Sequence, residues 1–159
     1  MKLTTYKNIK YFQSDLLKEH KFIHAFFTRI YKNNDPIQLQ DKLNLTSNIH
    51  FLNQSHSNKV IQVNNTINSK PQIADSLLTK ERYQSLWIYT ADCIPILIAD
   101  IKKRNIAACH SGLKGLKKNI ISKTIKKLEE TGSNKNNLII AIGPSINGDK
   151  YPVKIKDVD

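Results

Sequence analysis

Glycine is scarce in this 159-residue sequence: there are five in all and none before Gly112. Glycine supplies the left-handed backbone and the close approach that a phosphate-cradling loop needs, so no Gly-rich nucleotide loop opens the chain. Neither G-x-G-x-x-G nor a P-loop ending in Gly-Lys-Ser/Thr occurs anywhere, which argues against the common dinucleotide and nucleoside triphosphate folds. Glycine-dependent turns are expected only in the last third, at Gly112, Gly115, Gly132, Gly143 and Gly148. Cysteine is as sparse, with only Cys93 and Cys109, so a secreted disulfide scaffold is excluded and a reducing, cytoplasmic setting is expected. The apolar stretch Ile94 to Ala99 stops at Asp100, far short of the roughly 20 residues of a membrane span. Met1-Lys2-Leu3-Thr4-Thr5-Tyr6-Lys7 lacks the apolar core and cleavage site of a signal peptide, so no membrane partner is expected. Arginine is limited to Arg29, Arg82 and Arg104, although 25 basic residues against 13 acidic ones leave a formal charge of +12. Nucleic-acid recognition favours the bidentate fork of arginine over the point charge of lysine. A solvated, lysine-rich surface is therefore expected, not a nucleic-acid site.

What is present fits one domain over residues 1–159, with 40% hydrophobic and 24% charged residues and enough length for a sizeable core. No repeat or linker divides it, and Asn64 to Lys70 reads as a surface loop. Strand-like runs recur at Phe22–Thr28, Ile49–Leu52, Lys59–Val63, Ser76–Leu78, Leu86–Thr90, Ile96–Ala99, Asn105–Cys109 and Leu138–Ile142. The continuous apolar runs around Ile96 and Ile140 predict strands buried on both faces. A long helix is predicted from about Leu113 to Thr131, with Leu116, Ile120, Ile121, Ile125 and Leu128 as its buried stripe and Gly132 closing it. A second helix is expected over Pro36–Leu45. The fold class that follows is α+β, a three-layer α/β/α arrangement around a mixed β-sheet.

Chemistry can be built from His56, Cys93 and His110, each near the end of a strand-like run, where a sheet presents side chains to a shared cleft. Two imidazoles and a thiolate make an open zinc set, with the fourth tetrahedral position left for water or substrate. Asp75 and Asp92 are then candidates to orient a ligand or accept a proton. The same residues allow a second assignment, in which Cys93 is a thiolate nucleophile, His110 or His56 its base and Asp92 or Asp75 the orienting group of a hydrolase. Cys109 adjoins His110 and by alternation belongs to the core.

Six segments together resemble one family. They are His24-Ala25-Phe26-Phe27-Thr28-Arg29, Gln54-Ser55-His56-Ser57-Asn58-Lys59-Val60, Ala74-Asp75-Ser76-Leu77-Leu78-Thr79, Thr90-Ala91-Asp92-Cys93-Ile94-Pro95-Ile96-Leu97, His110-Ser111-Gly112-Leu113-Lys114-Gly115 and Ile142-Gly143-Pro144-Ser145-Ile146, with Tyr151-Pro152-Val153 after them. In order and spacing they resemble the YfiH-type, laccase-domain family of polyphenol oxidases and purine nucleoside phosphorylases. The resemblance implies a metal held by His56, Cys93 and His110, with zinc as the cofactor. It implies phosphorolysis of adenosine, inosine, guanosine or methylthioadenosine, with adenosine deamination beside it. Catalytic roles would fall to Asp75, Asp92 and Cys93. Arg29, Lys59 and Lys114 offer charge for phosphate, the second small-molecule partner.

Copper is less favoured than zinc, because five His cannot build a multicopper centre and the only Met, the usual axial ligand of a blue-copper site, is Met1. The chain departs from the family pattern in three places. Ile30 to Pro36 stands where a Gly-Gly loop is usual, Leu113-Lys114 replaces Trp-Arg, and about a third of the usual domain has no counterpart after Asp159. Dimerisation could cover the surface this leaves exposed, and a binding homologue without activity is a further reading.

Overall fold

In the computed structural model, which describes residues 1–31, 35–65 and 70–151, the chain begins with a hairpin that the sequence pattern did not announce. β1 (Lys2–Tyr6) and β2 (Ile9–Gln13) pair antiparallel around Lys7 and Asn8, both at positive φ, the backbone a two-residue hairpin turn demands. Almost all of β1 is exposed, so it carries no apolar alternation to read. Ser14 then caps α1 (Asp15–Glu19), its side chain accepting from the Leu17 amide. Of the strand expected over Phe22–Thr28, only β3 (Phe26–Phe27) forms. The residues before it are irregular and held by a side chain: His24 accepts the Ser14 N–H at Nε2 (2.9 Å) and its Nδ1 lies 2.8 Å from the Phe22 carbonyl oxygen.

α2 (Pro36–Leu43) starts at the Asp35 cap and ends two residues earlier than expected, where Asn44 turns left-handed. Short strands follow: β4 (Asn48–His50), β5 (Leu52–Asn53), β6 (Val60–Gln62), β7 (Gln72–Ile73), β8 (Ser76–Thr79) and β9 (Gln84–Leu86). The strand expected to run from Leu86 to Thr90 therefore lies earlier in the chain. The longest strands come next, β10 (Ile94–Asp100) and β11 (Ile106–Ser111), then α3 (Leu113–Lys117), α4 (Ile120–Glu130) and β12 (Leu138–Ile142).

The main sheet has the order β12-β10-β11-β8-β6. It is mixed, as expected, because β6 runs parallel to β8 while the other pairs are antiparallel. On one face Leu78, Ile96, Ile98 and Cys109 pack against Ile120 and Leu128 of α4. On the other, Ala99 and Ala141 meet Leu17 and Phe26, while Leu77 and Ala108 meet Leu52 and Ala74. The three layers of an α+β fold are present, with the second outer layer made of α1 and short strands. β10 is largely buried, whereas Ile140 and Ile142 of β12 are 40% and 60% exposed. β12 is one edge strand of this sheet and β6 the other, and α4 covers the sheet's centre.

The single helix predicted over 113–131 is instead two, broken at Asn119, which is left-handed (φ 58°). The break has a long-range cause: Asn58 Nδ2 donates to the Lys118 carbonyl, capping α3, and a Cβ at Gly115 would stand 3.2 Å from the Ser57 carbonyl oxygen. α3 is thereby pressed onto the loop that carries His56, and Leu116, expected in the buried stripe, is exposed. Gly132 closes α4 as expected, with its own N–H donating to Glu129 and that of Ser133 to Leu128. The earlier left-handed turns use no glycine; Lys7, Asn8, Lys21, Asn44, His56, Tyr83, Arg104 and Asn119 occupy them.

Gly143 is required for packing: a Cβ there would overlap the Phe26 ring and come within 2.8 Å of Pro95 Cγ. Gly143→Ala is expected to cost roughly 1–3 kcal/mol through overpacking. Thermal unfolding checks this, and an unchanged melting temperature would show that Phe26 moves aside freely.

Candidate metal centre

The pairing of β11 with β8 sets Cys109 opposite Ser76 and so carries Asp75 alongside His110. The His110 N–H donates to the Asp75 carbonyl at 2.8 Å, and its Nδ1 stands 2.8 Å from Asp75 Oδ1. Alternation turns Cys109 into the core under α4 and His110 to the opposite face. With Nδ1–H donated to the carboxylate, the Nε2 lone pair of His110 is free to bind a metal.

Asp75 also shapes the loop that carries His56. Its carboxylate accepts from the main-chain N–H groups of Ser55 (3.3 Å), His56 (2.9 Å) and Ser57 (2.6 Å), and from the hydroxyls of Ser57 (2.6 Å) and Ser55 (3.4 Å). These bonds hold His56 at φ 56°, a conformation that costs a non-glycine residue about 1 kcal/mol. Burial would raise the Asp75 carboxyl, but the donors, led by the Ser57 hydroxyl and His110, outweigh it and hold it at about 2. Asp75 is thus an ionised, fully buried hub.

Cys93 arrives from the start of β10, its Sγ 3.9 Å from His56 Nε2. The His56 and His110 rings meet edge to face, centroids 4.8 Å apart. The ligand atoms of His56, Cys93 and His110 all lie within 4.8 Å of one another. The edges of a zinc tetrahedron bearing two imidazoles and a thiolate are about 3.3–3.6 Å, so the three residues fit one ion after a contraction of at most about 1.5 Å. Gly112 keeps that space clear: a Cβ there would be 2.9 Å from Cys93 Sγ and 3.0 Å from His56 Cδ2. Burial, then the charges of Asp92 and Asp75, push the Cys93 thiol up. A thiol held protonated is a poor nucleophile, whereas a metal cation reverses the sign of its surroundings. The donor set therefore favours metal ligation over the hydrolase assignment.

Asp92 and Asp75, equivalent in sequence, are separated here. Asp92 is exposed, and its carbonyl accepts from Ile146. Lys59 and Lys114 are exposed on the two segments that α3 brings together. Arg29 is exposed on a separate turn, and none of the hydrogen bonds or ion pairs of the described residues joins it to the triad. Of the other imidazoles, His24 is tied to Ser14 and Phe22 and His50 to Gln84, so they serve the fold. Gly112, Ser55 and Ser57 are site residues that sequence reasoning missed. The only signal was their place beside the ligands. A concavity of about 430 Å³ lined by Ile37, His50, Phe51, Ile61 and Val63 contains none of the three ligands. No helix among the described residues is long and apolar enough to cross a membrane.

The family model described as multi-copper polyphenol oxidoreductase laccase matches residues 29–158. A purine nucleoside phosphorylase of Synechocystis is 34% identical over 136 residues, covering 82% of this chain and 52% of that protein. One of Rickettsia conorii is 33% identical over 135 residues, covering 82% and 55%. Among solved structures, YlmD of Geobacillus stearothermophilus superposes with a TM-score of 0.71 at 21% identity, covering 76% of this chain and 48% of that one. YfiH of Bacillus licheniformis gives 0.67 at 22%, covering 76% and 49%. The chain spans about half the length of the curated relatives it matches.

Proposed function

The chain belongs to the multi-copper polyphenol oxidoreductase laccase family, and from that membership we propose that it is a zinc-dependent purine nucleoside phosphorylase. The observation that carries the proposal is the open ligand set His56, Cys93 and His110, braced by Asp75, in a chain whose relatives include purine nucleoside phosphorylases. Adenosine, inosine, guanosine and methylthioadenosine form the substrate class, and adenosine deamination belongs to the same reading.

In phosphorolysis a phosphate oxygen attacks C1′ of the ribose, the C1′–N9 bond breaks, and its electron pair leaves on the base nitrogen, which takes a proton. A zinc ion held by the three ligands would supply Lewis-acid polarisation of a substrate oxygen. Arg29, Lys59 and Lys114 supply positive charge for the phosphate. Asp92, exposed beside Cys93, accepts the proton that the attacking hydrogen phosphate gives up and returns it to the departing base. Asp75 is occupied by its donors and orients the ligands; it exchanges no proton with substrate. Copper is the less favoured ion, since the only Met is Met1.

Two measurements test this. Elemental mass spectrometry is expected to find about one zinc per chain, lost in each of His56→Ala, Cys93→Ala and His110→Ala. Zinc-loaded protein is expected to release free base from adenosine or inosine only when phosphate is present. Metal-free native protein would refute the zinc site, and zinc-loaded protein that releases no base would refute phosphorolysis by this chain.

A further inference from the structure

The loop bearing His56 and the loop bearing Cys93 leave neighbouring strands but share no main-chain ladder where they reach the site. β4 and β9 pair in parallel through His50 and Leu86, and the last backbone bond of that ladder is the Trp87 N–H to the His50 carbonyl. β5 turns away to pair with β7. Beyond these points, among the described residues and apart from the approach of Cys93 Sγ to His56 Nε2, one side chain joins the two segments. Gln54 Nε2 donates to the Tyr89 carbonyl at 2.7 Å, and Gln54 Oε1 accepts the Tyr89 N–H at 2.7 Å. The carboxamide thus replaces a missing β-bridge, with both its donor and its acceptor used. From this clamp the chain runs two residues to His56 on one side and four to Cys93 on the other.

We propose that Gln54 is a positioning residue for the ligand cluster, holding the His56 and Cys93 loops close enough for a single metal ion to draw their ligands together. Asp75 fixes His56 to His110, and the pairing of Ile94 with Ser111 at the end of the β10–β11 ladder ties Cys93 to His110. Gln54 provides the third constraint, between the His56 and Cys93 segments. A ligand loop fixed in advance loses less conformational entropy on metal binding, so the clamp raises affinity without touching the ion. The inference rests on the metal reading above for its purpose, while the clamp itself can be tested in metal-free protein.

Gln54→Ala removes the clamp. Gln54→Glu keeps its shape but sets a carboxylate oxygen against the Tyr89 carbonyl. Three readouts are compared with the native chain: zinc affinity by chelator competition, the thiolate-to-cobalt charge-transfer band of the cobalt-loaded protein, and the rate of Cys93 alkylation in metal-free protein at fixed pH. Buried Cys109 serves as the internal control for unfolding. Both variants are expected to lose zinc affinity tenfold or more and to weaken the cobalt band. Cys93 should alkylate several-fold faster while Cys109 stays protected and the melting temperature moves little. Unchanged zinc affinity and cobalt band in Gln54→Ala would overturn the proposal. If native protein takes up neither metal, the zinc reading falls, and the clamp is judged by alkylation: faster reaction at Cys93 supports it, and an unchanged rate overturns it.

Discussion

Asp75→Asn is expected to be the most damaging single substitution in this protein. The amide keeps the carboxylate's shape but offers one acceptor oxygen where two now take six donors from Ser55, His56, Ser57 and His110. Its NH₂ group must face either the Ser55 and Ser57 donors or the His56 amide and His110 Nδ1, donor against donor, in a fully buried position. Breaking a buried charge network of this kind costs roughly 3 kcal/mol, about 10 °C in melting temperature for a domain of this size. Metal affinity should fall at least tenfold with it, because both imidazoles lose the partner that aims them. Thermal unfolding and chelator competition read the two effects separately. A variant with the native melting temperature would mean that the charge of Asp75 organises nothing. The sign with pH follows from the lowered carboxyl: it sits at about 2 against an ordinary 3.8. The stability it contributes is complete above the ordinary value and drains away as pH falls towards 2.

Gly112→Ala should give the opposite pattern, a fold that survives and a site that does not. Gly112 has φ −84° and ψ 170°, which alanine adopts without strain, so the methyl group acts only through what it touches. It would meet Cys93 Sγ at 2.9 Å and His56 Cδ2 at 3.0 Å, separating two ligands that must approach to bind one ion. The expected result is a melting temperature within a few degrees of native, about 1 kcal/mol or less, and zinc affinity reduced by about a hundredfold, towards the upper end of what displaced ligand support costs. Native affinity in a folded Gly112→Ala chain would show that Cys93 and His56 can be held further apart than a tetrahedral site allows.

These two substitutions also mark how far the sequence could be read. His56, Cys93 and His110 were legible because their residue types are those zinc takes and because each lies near the end of an apolar run. Their convergence was not legible, since it depends on the register that sets Cys109 opposite Ser76 and on a left-handed His56. Asp75 and Asp92 looked alike as carboxylates beside strands. Burial separates them: one is closed under six donors and the other is open to solvent. The apolar spacing across residues 113–131 predicted one helix because periodicity reports only which face is apolar. The break at Asn119 comes from Asn58 and Ser57, more than fifty residues earlier in the chain, and local pattern carries no trace of so distant a contact.

By itself the sequence determined the class of fold, the central strands, the family, and the three residue types that would meet a metal. Those properties follow from composition, apolar periodicity and local motif, which are additive along the chain. Tertiary structure decided which strands lie at the sheet's edges, why Ile140 and Ile142 are exposed, which aspartate is the hub, why Gly112 has no side chain, and how Gln54 joins two loops. Each of these is a contact between segments distant in sequence, fixed by sheet register and by the need of buried polar groups for partners.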